Sequence, residues 1–226
     1  MLKRMTNHIF EIRIKPDARF LDKRGSVADQ IVGGEFNGWN ISNNRIDFRS
    51  SDQPTLTAFF SFRNLGVASK PPTTTDEFWK TTEKFIKSAW QHFAPNSIIR
   101  LGVRSRFLTQ APNFKRAFDT YRKKFLNLSD EDLNKFGGDL VDVGFPLNFI
   151  EGNNSFNVMT GPMEDKQSKG IFGEEAFKTG VFLDVDFFRK EISPHITQKH
   201  VISFVKGGIK KASTVMEQIT QWIIGK

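Results

Sequence analysis

The chain has 226 residues, 38% of them hydrophobic, with 24 Phe against one Tyr and four Trp, enough to bury a sizeable core in one compact unit. It has no Cys, which removes disulfide frameworks, thiol catalysis and thiolate metal sites. No apolar run approaches the roughly 18 residues of a membrane span, and polar residues follow the basic start Met1–Asn7 where a secretory apolar region would lie, so a cytoplasmic location is expected.

The first pattern is a strict alternation from His8 to Lys15, with His8, Phe10, Ile12 and Ile14 on one face, the signature of a half-buried strand. Pro16–Gly25 reads as a charged connection with at most a helical turn. Phe36–Ile41 and Arg45–Arg49 form a hairpin around Ser42-Asn43-Asn44, because Asn tolerates the left-handed turn conformation. Thr55–Asn64 is a third strand. After Lys70-Pro71-Pro72, a helix is expected with Thr75 as N-cap, carrying Phe78, Phe85, Ile86, Ala89, Trp90 and Phe93 on one stripe.

Ile98–Leu108 reads as a long strand with Arg100, Arg104 and Arg106 on one side. Asn113 caps a shorter helix, and Ser129 begins another that stops at Gly137-Gly138. Strands follow at Asp139–Ile150 and Ser155–Thr160. Gly161–Gly173 is polar and reads as a mobile loop, and Val181–Phe188 is the last strand. The chain closes with a helix over Thr197–Ile223, whose inner Gly207-Gly208 costs about 1–2 kcal/mol of helix propensity relative to Ala and calls for a close approach to another backbone, or a kink.

These elements give an α+β fold: a largely antiparallel sheet system covered by the two long amphipathic helices. The whole chain, 1–226, is one compact unit, with a first half at 1–110 and a second at 111–226. Each half holds strands, a hairpin and one long helix, so two similar α+β halves are an architectural expectation, without a residue-level repeat.

Charge is unevenly placed. Arg100–Lys124 holds eight basic residues (Arg100, Arg104, Arg106, Lys115, Arg116, Arg122, Lys123, Lys124) and one acid, Asp119, whereas in 130–191 the acids outnumber the bases by seven. The basic segment either meets an acidic protein or a nucleic acid backbone, or pairs with the chain's own acidic stretch.

Asp184 and Asp186 alternate in the apolar run Val181–Phe188, and carboxylates so spaced project together, as in two-metal phosphoryl or nucleotidyl transfer with Mg²⁺ or Mn²⁺. Such a site needs a third acid, and only Glu191 and Glu217 lie downstream. The competing reading is a pair of carboxylates on a solvated strand face. Gly137-Gly138-Asp139 is better explained as a helix stop than as a cyclase-type turn. Arg189 and His195 match the spacing of a ribonuclease motif that belongs in an all-helical domain, and His195 and His200 read as surface or helix-start residues. No Gly-rich phosphate loop or nucleophile elbow is present.

Three segments, His8–Ile14, Arg100–Phe107 and Phe182–Asp186 followed by a long helix, make the chain resemble a sporadically distributed family of uncharacterised bacterial and archaeal proteins. There the central strand looks like Arg-Ile-Gly-Leu-Arg-Tyr and the late one like Leu-Leu-Asp-Ile-Asp. This chain departs at Ser105-Arg106, where the family has an aromatic and a polar residue, and it lacks the family's Pro-Pro before the first strand. The resemblance implies a cytoplasmic α+β protein from a mobile or defence-associated locus, and it brings no catalytic residues or cofactor. The expected function is therefore a non-catalytic interaction or accessory protein using the Arg100–Lys124 surface. The alternatives are a metal-dependent transferase at Asp184 and Asp186, and a structural homo-oligomer joined through the apolar stripe at Val215–Ile223.

Overall fold

The computed structural model describes residues 3–33, 35–95, 97–190, 192–193 and 195–224. In chain order the elements are β1 (Arg4–Ile14), α1 (Arg19–Ile31), β2 (Gly38–Ile41), β3 (Arg45–Arg49), β4 (Leu56–Ser61), β5 (Asn64–Ser69) and α2 (Thr75–His92). They continue with β6 (Ile98–Gln110), α3 (Phe114–Phe125), α4 (Asp130–Asn134), β7 (Phe145–Glu151), β8 (Asn154–Glu164), α5 (Asp165–Phe172), β9 (Thr179–Arg189) and α6 (Gln198–Ile224).

Among the described residues, nine strands join one antiparallel sheet in the order β2-β3-β4-β5-β1-β6-β9-β8-β7. Its centre is the long pair β1–β6, in which Phe10 faces Val103 and Ile12 faces Leu101. Alternation along each strand sends one set of side chains into the core and the other to the opposite face. On the core side Phe10, Ile12, Leu101 and Val103 bury against α2 and the start of α6, and Phe107, Leu183, Val185 and Phe187 bury against α3 and the end of α6. The other face is open except at one end, where Phe172 of α5 packs on Leu108 and Phe182.

The helical layer is not two helices alone, since α1 packs on α2 and α3 packs on β8, β9 and α6. Helix α1 replaces the charged connection expected at Pro16–Gly25. Only Phe20, Val27, Ala28 and Ile31 of it are buried, too few among Arg, Lys and Asp for a strong periodic signal. The expected third strand at Thr55–Asn64 is β4, and a strand not expected, β5, follows it; Gly66 and Ala68 conceal its strand character until it pairs with β1. The segment expected as a mobile loop is the end of β8 followed by α5, with Gly173 (φ 94°) ending the helix.

At α2 the cap is Thr74, not Thr75. Its hydroxyl accepts from Glu77 N, and the Glu77 carboxylate accepts from Thr74 N, closing a capping box. Asn113 and Ser129 cap α3 and α4 as expected. In α6, a Cβ on Gly208 would lie 2.9 Å from Phe187 Cδ1 and 3.3 Å from Val103 Cβ, so the close approach is to sheet side chains rather than to another backbone. Among the described residues, no helix is long and apolar enough to cross a membrane.

Candidate functional site

Arg100, Arg104 and Arg106 alternate on the open face of β6, and Asp184 and Asp186 occupy the same face of neighbouring β9. Arg106 stands directly opposite Asp184, and Arg104 directly opposite Asp186. Arg104 reaches diagonally: its Nε donates to Asp184 Oδ1 at 2.8 Å and its Nη2 to Oδ2 at 2.5 Å. Arg106 Nε adds a 3.2 Å bond to Asp184 Oδ2. The Asp184 side chain is 8% exposed, and its hydrogen bond holds the Arg104 guanidinium above its ordinary pKa despite the opposing effect of burial.

Arg100 makes the second bridge. Its Nη2 donates to both oxygens of Asp186 at 2.7 and 2.8 Å, and the guanidinium carbon lies 4.8 Å from the Phe188 ring centroid. Across β1, Glu11 sits 3.8 Å from Arg100 Nη1, accepts from Arg13 Nε at 2.8 Å and accepts from Asn64 Nδ2 at 2.9 Å. The result is a ladder of alternating charge running over β5, β1, β6 and β9. Sequence reasoning missed Glu11, which reads as an ordinary outward residue until the β1–β6 register places it between two arginines.

The acidic doublet and the basic strand are therefore each other's partner, the arrangement of the reading in which the basic segment pairs with the chain's own acidic stretch. This corrects the reading of Arg100, Arg104 and Arg106 as part of an outer basic patch. The Asp184 and Asp186 oxygens, expected in the alternative reading to face Mg²⁺ or Mn²⁺, accept hydrogen bonds from guanidinium groups. No group of three or more potential ligand residues occurs among the described residues. Of the downstream acids, Glu191 lies outside the described residues, and Glu217 is on α6, behind the opposite face of the sheet.

The helical part of the basic segment lies on the other side of the sheet. Ala117 and Tyr121 anchor α3 in the core, which leaves Lys115, Arg116, Lys123 and Lys124 exposed. Lys115 pairs with Asp119 at 2.9 Å, Arg122 pairs with Asp130, and Lys124 Nζ donates to the Trp222 carbonyl. Arg116 and Lys123 take part in no ion pair among the described residues. Together with Lys115, Asp119, Thr120 and Lys124 they line a shallow groove of about 370 Å³ formed by polar residues alone. The expected single patch is thus divided by the thickness of the sheet.

The apolar stripe near the end of α6, expected to be available to a second subunit, is largely spent inside the molecule. Met216, Ile219 and Ile223 are buried in the second core cluster, with Val215 packed at its margin, and only Trp222 stays exposed.

The chain matches no protein-family model and no curated protein sequence.

Proposed function

We propose that this protein is a non-catalytic binding or accessory protein that engages the phosphate backbone of a nucleic acid through α3. The observation that carries the reading is the polar groove on α3, where Arg116 and Lys123 stand beside Lys115 and Lys124 without carboxylate partners of their own among the described residues. Phosphate contacts need exposed cations and little else, and they bring affinity without base readout. An acidic protein partner would ordinarily bury apolar anchors at the centre of its interface, and among the described residues no apolar side chain lines the groove.

The scaffold belongs to the same reading. The chain is taken as two similar α+β halves, each a strand, a helix, an antiparallel meander and a long covering helix, α2 or α6. Support comes from the order of elements on either side of the β1–β6 pair, which favours a division between α2 and β6 over one near residue 110. The ion-pair ladder then serves to hold the central strands together.

The test is retention of the full chain on a fluorescent DNA duplex across a salt series. The double reversal Arg116→Glu, Lys123→Glu is expected to lower the slope of log K against log salt by about 2, at about 0.9 for each phosphate no longer neutralised, with the melting temperature unchanged. Retention and slope equal to those of the parent would overturn the reading.

A further inference from the structure

A second site lies apart from α3, in a cleft of about 470 Å³ between the end of β9 and the first turns of α6. We propose that this cleft binds a small phosphomonoester carrying a planar ring, of the size of a nucleoside monophosphate. The volume is in the ordinary range for small-molecule sites, roughly 300–1,000 Å³. Among the described residues no acidic side chain lines it, whereas Arg189, His195 and His200 all do.

Two of these groups are held in a state suited to an anion. Arg189 Nε donates to Asn154 Oδ1 at 2.9 Å, and its guanidinium carbon lies 5.7 Å from the Phe204 ring centroid. Among the described residues the Nη groups have no hydrogen-bond partner, which leaves them for a ligand's oxygens, in the fork geometry that phosphate recognition uses. His200 Nδ1 accepts from Thr197 N at 3.3 Å and lies 2.9 Å from Thr197 Oγ1, which leaves Nε2 as the ring's donor. The beginning of a 27-residue helix adds favourable potential for negative charge.

The apolar part of the cleft suits a ring. Leu101, Phe187 and Phe204 contribute to it, and the two phenyl rings are 5.1 Å apart between centroids. The glycine pair of α6 separates in purpose here. Gly208 is required by packing against Phe187 and Val103, but a Cβ on Gly207 would meet nothing within 4 Å. Gly207 lines the cleft and costs about 1 kcal/mol relative to Ala in a helix interior. A larger residue there would improve the helix and fill the cleft, so the glycine preserves space rather than packing.

Calorimetric titration of the full chain with the 5′-monophosphates of adenosine, guanosine, cytidine and uridine tests this, with the matching nucleosides and inorganic phosphate as comparisons. At least one monophosphate is expected to bind saturably, and its nucleoside and free phosphate at least about tenfold more weakly. Gly207→Leu is expected to abolish that binding while holding or raising the melting temperature, and Arg189→Gln to weaken it at least about tenfold. If Gly207→Leu fails to fold, Arg189→Gln decides. No saturable heat from any monophosphate up to about 5 mM overturns the proposal. Binding that survives in both variants, which places the ligand elsewhere, also overturns it.

Discussion

The guanidinium of Arg100 lies over Gly102: a Cβ at position 102 would fall 2.5 Å from Arg100 Nη1. The missing side chain lets Arg100 run along β6 and reach Asp186 on the next strand. Gly66 does a similar service for Phe59, but there the close approach is also to backbone, since a Cβ would overlap the Phe10 carbonyl oxygen.

The two glycines therefore differ in tolerance. Gly102→Ala is expected to cost about 1 kcal/mol, because a flexible guanidinium can swing aside, whereas Gly66→Ala forces strands β1 and β5 apart and costs about 3 kcal/mol or more. Urea unfolding of both variants checks the ranking. Equal costs would show that Arg100 is not free to move.

Removing the carboxylate at the ladder's centre should be expensive. Asp184→Ala leaves Arg104 and Arg106 without their shared partner and is expected to destabilise by about 3 kcal/mol, the scale of breaking a buried pair. Arg104→Ala should cost about 1 kcal/mol, since Arg104 is partly exposed and Arg106 still satisfies Asp184. Titration with Mg²⁺ or Mn²⁺ should give no heat that Asp184→Ala, Asp186→Ala abolishes. Heat that disappears in that double variant would restore the metal reading.

His8 supplies a pH dependence. It is fully buried on the helical face of β1, between Phe78 and the edge of Phe107, with Nδ1 2.9 Å from Ser105 Oγ and Nε2 3.0 Å from Thr75 Oγ1. Burial lowers its pKa to about 4 from an ordinary 6.5, with no carboxylate partner among the described residues to oppose it. The folded state holds His8 neutral while the unfolded chain protonates it, so stability present above pH 6.5 is lost as pH falls towards 4. The loss is on the order of 3 kcal/mol. In His8→Gln the pH profile of stability over this window should flatten relative to the parent. Parallel profiles would show that other groups carry the acid sensitivity.

Neighbouring threonines at the start of α2 should behave differently. Thr74→Ala removes the cap of α2 and is expected to cost about 1 kcal/mol at neutral pH, with Thr74→Ser nearly silent. Thr75→Val should leave the cap intact and instead deprive His8 Nε2 of its partner. Chemical-shift changes at His8 in the Thr75 variant and not in the Thr74 variant would establish the division.

Local chemistry was readable wherever it repeats along the chain. The alternation of β1 and β6, the stripes of α2 and α6, and the caps Asn113 and Ser129 all follow from periods and short-range hydrogen bonding within a few residues. Helix α1 and strand β5 escaped because their stability comes from neighbours: four buried side chains in one case, and the β1 ladder in the other. Helix α5 is likewise a short segment, held by Phe182 and by Leu108, the latter far away in sequence.

The sequence by itself determined an α+β chain with a strongly basic segment, an acidic doublet and no thiol chemistry. Only the tertiary structure decided that Arg104 and Asp184, eighty positions apart in the chain, meet on one sheet face. Strand alternation tells which residues share a face, but not which strand lies alongside or in what register. Those are set by core packing and hairpin geometry, and a one-residue slip would send the arginines to the other side. For the same reason, a run of positive charge that is continuous in the chain became a neutralised strand on one face and an exposed helix on the other.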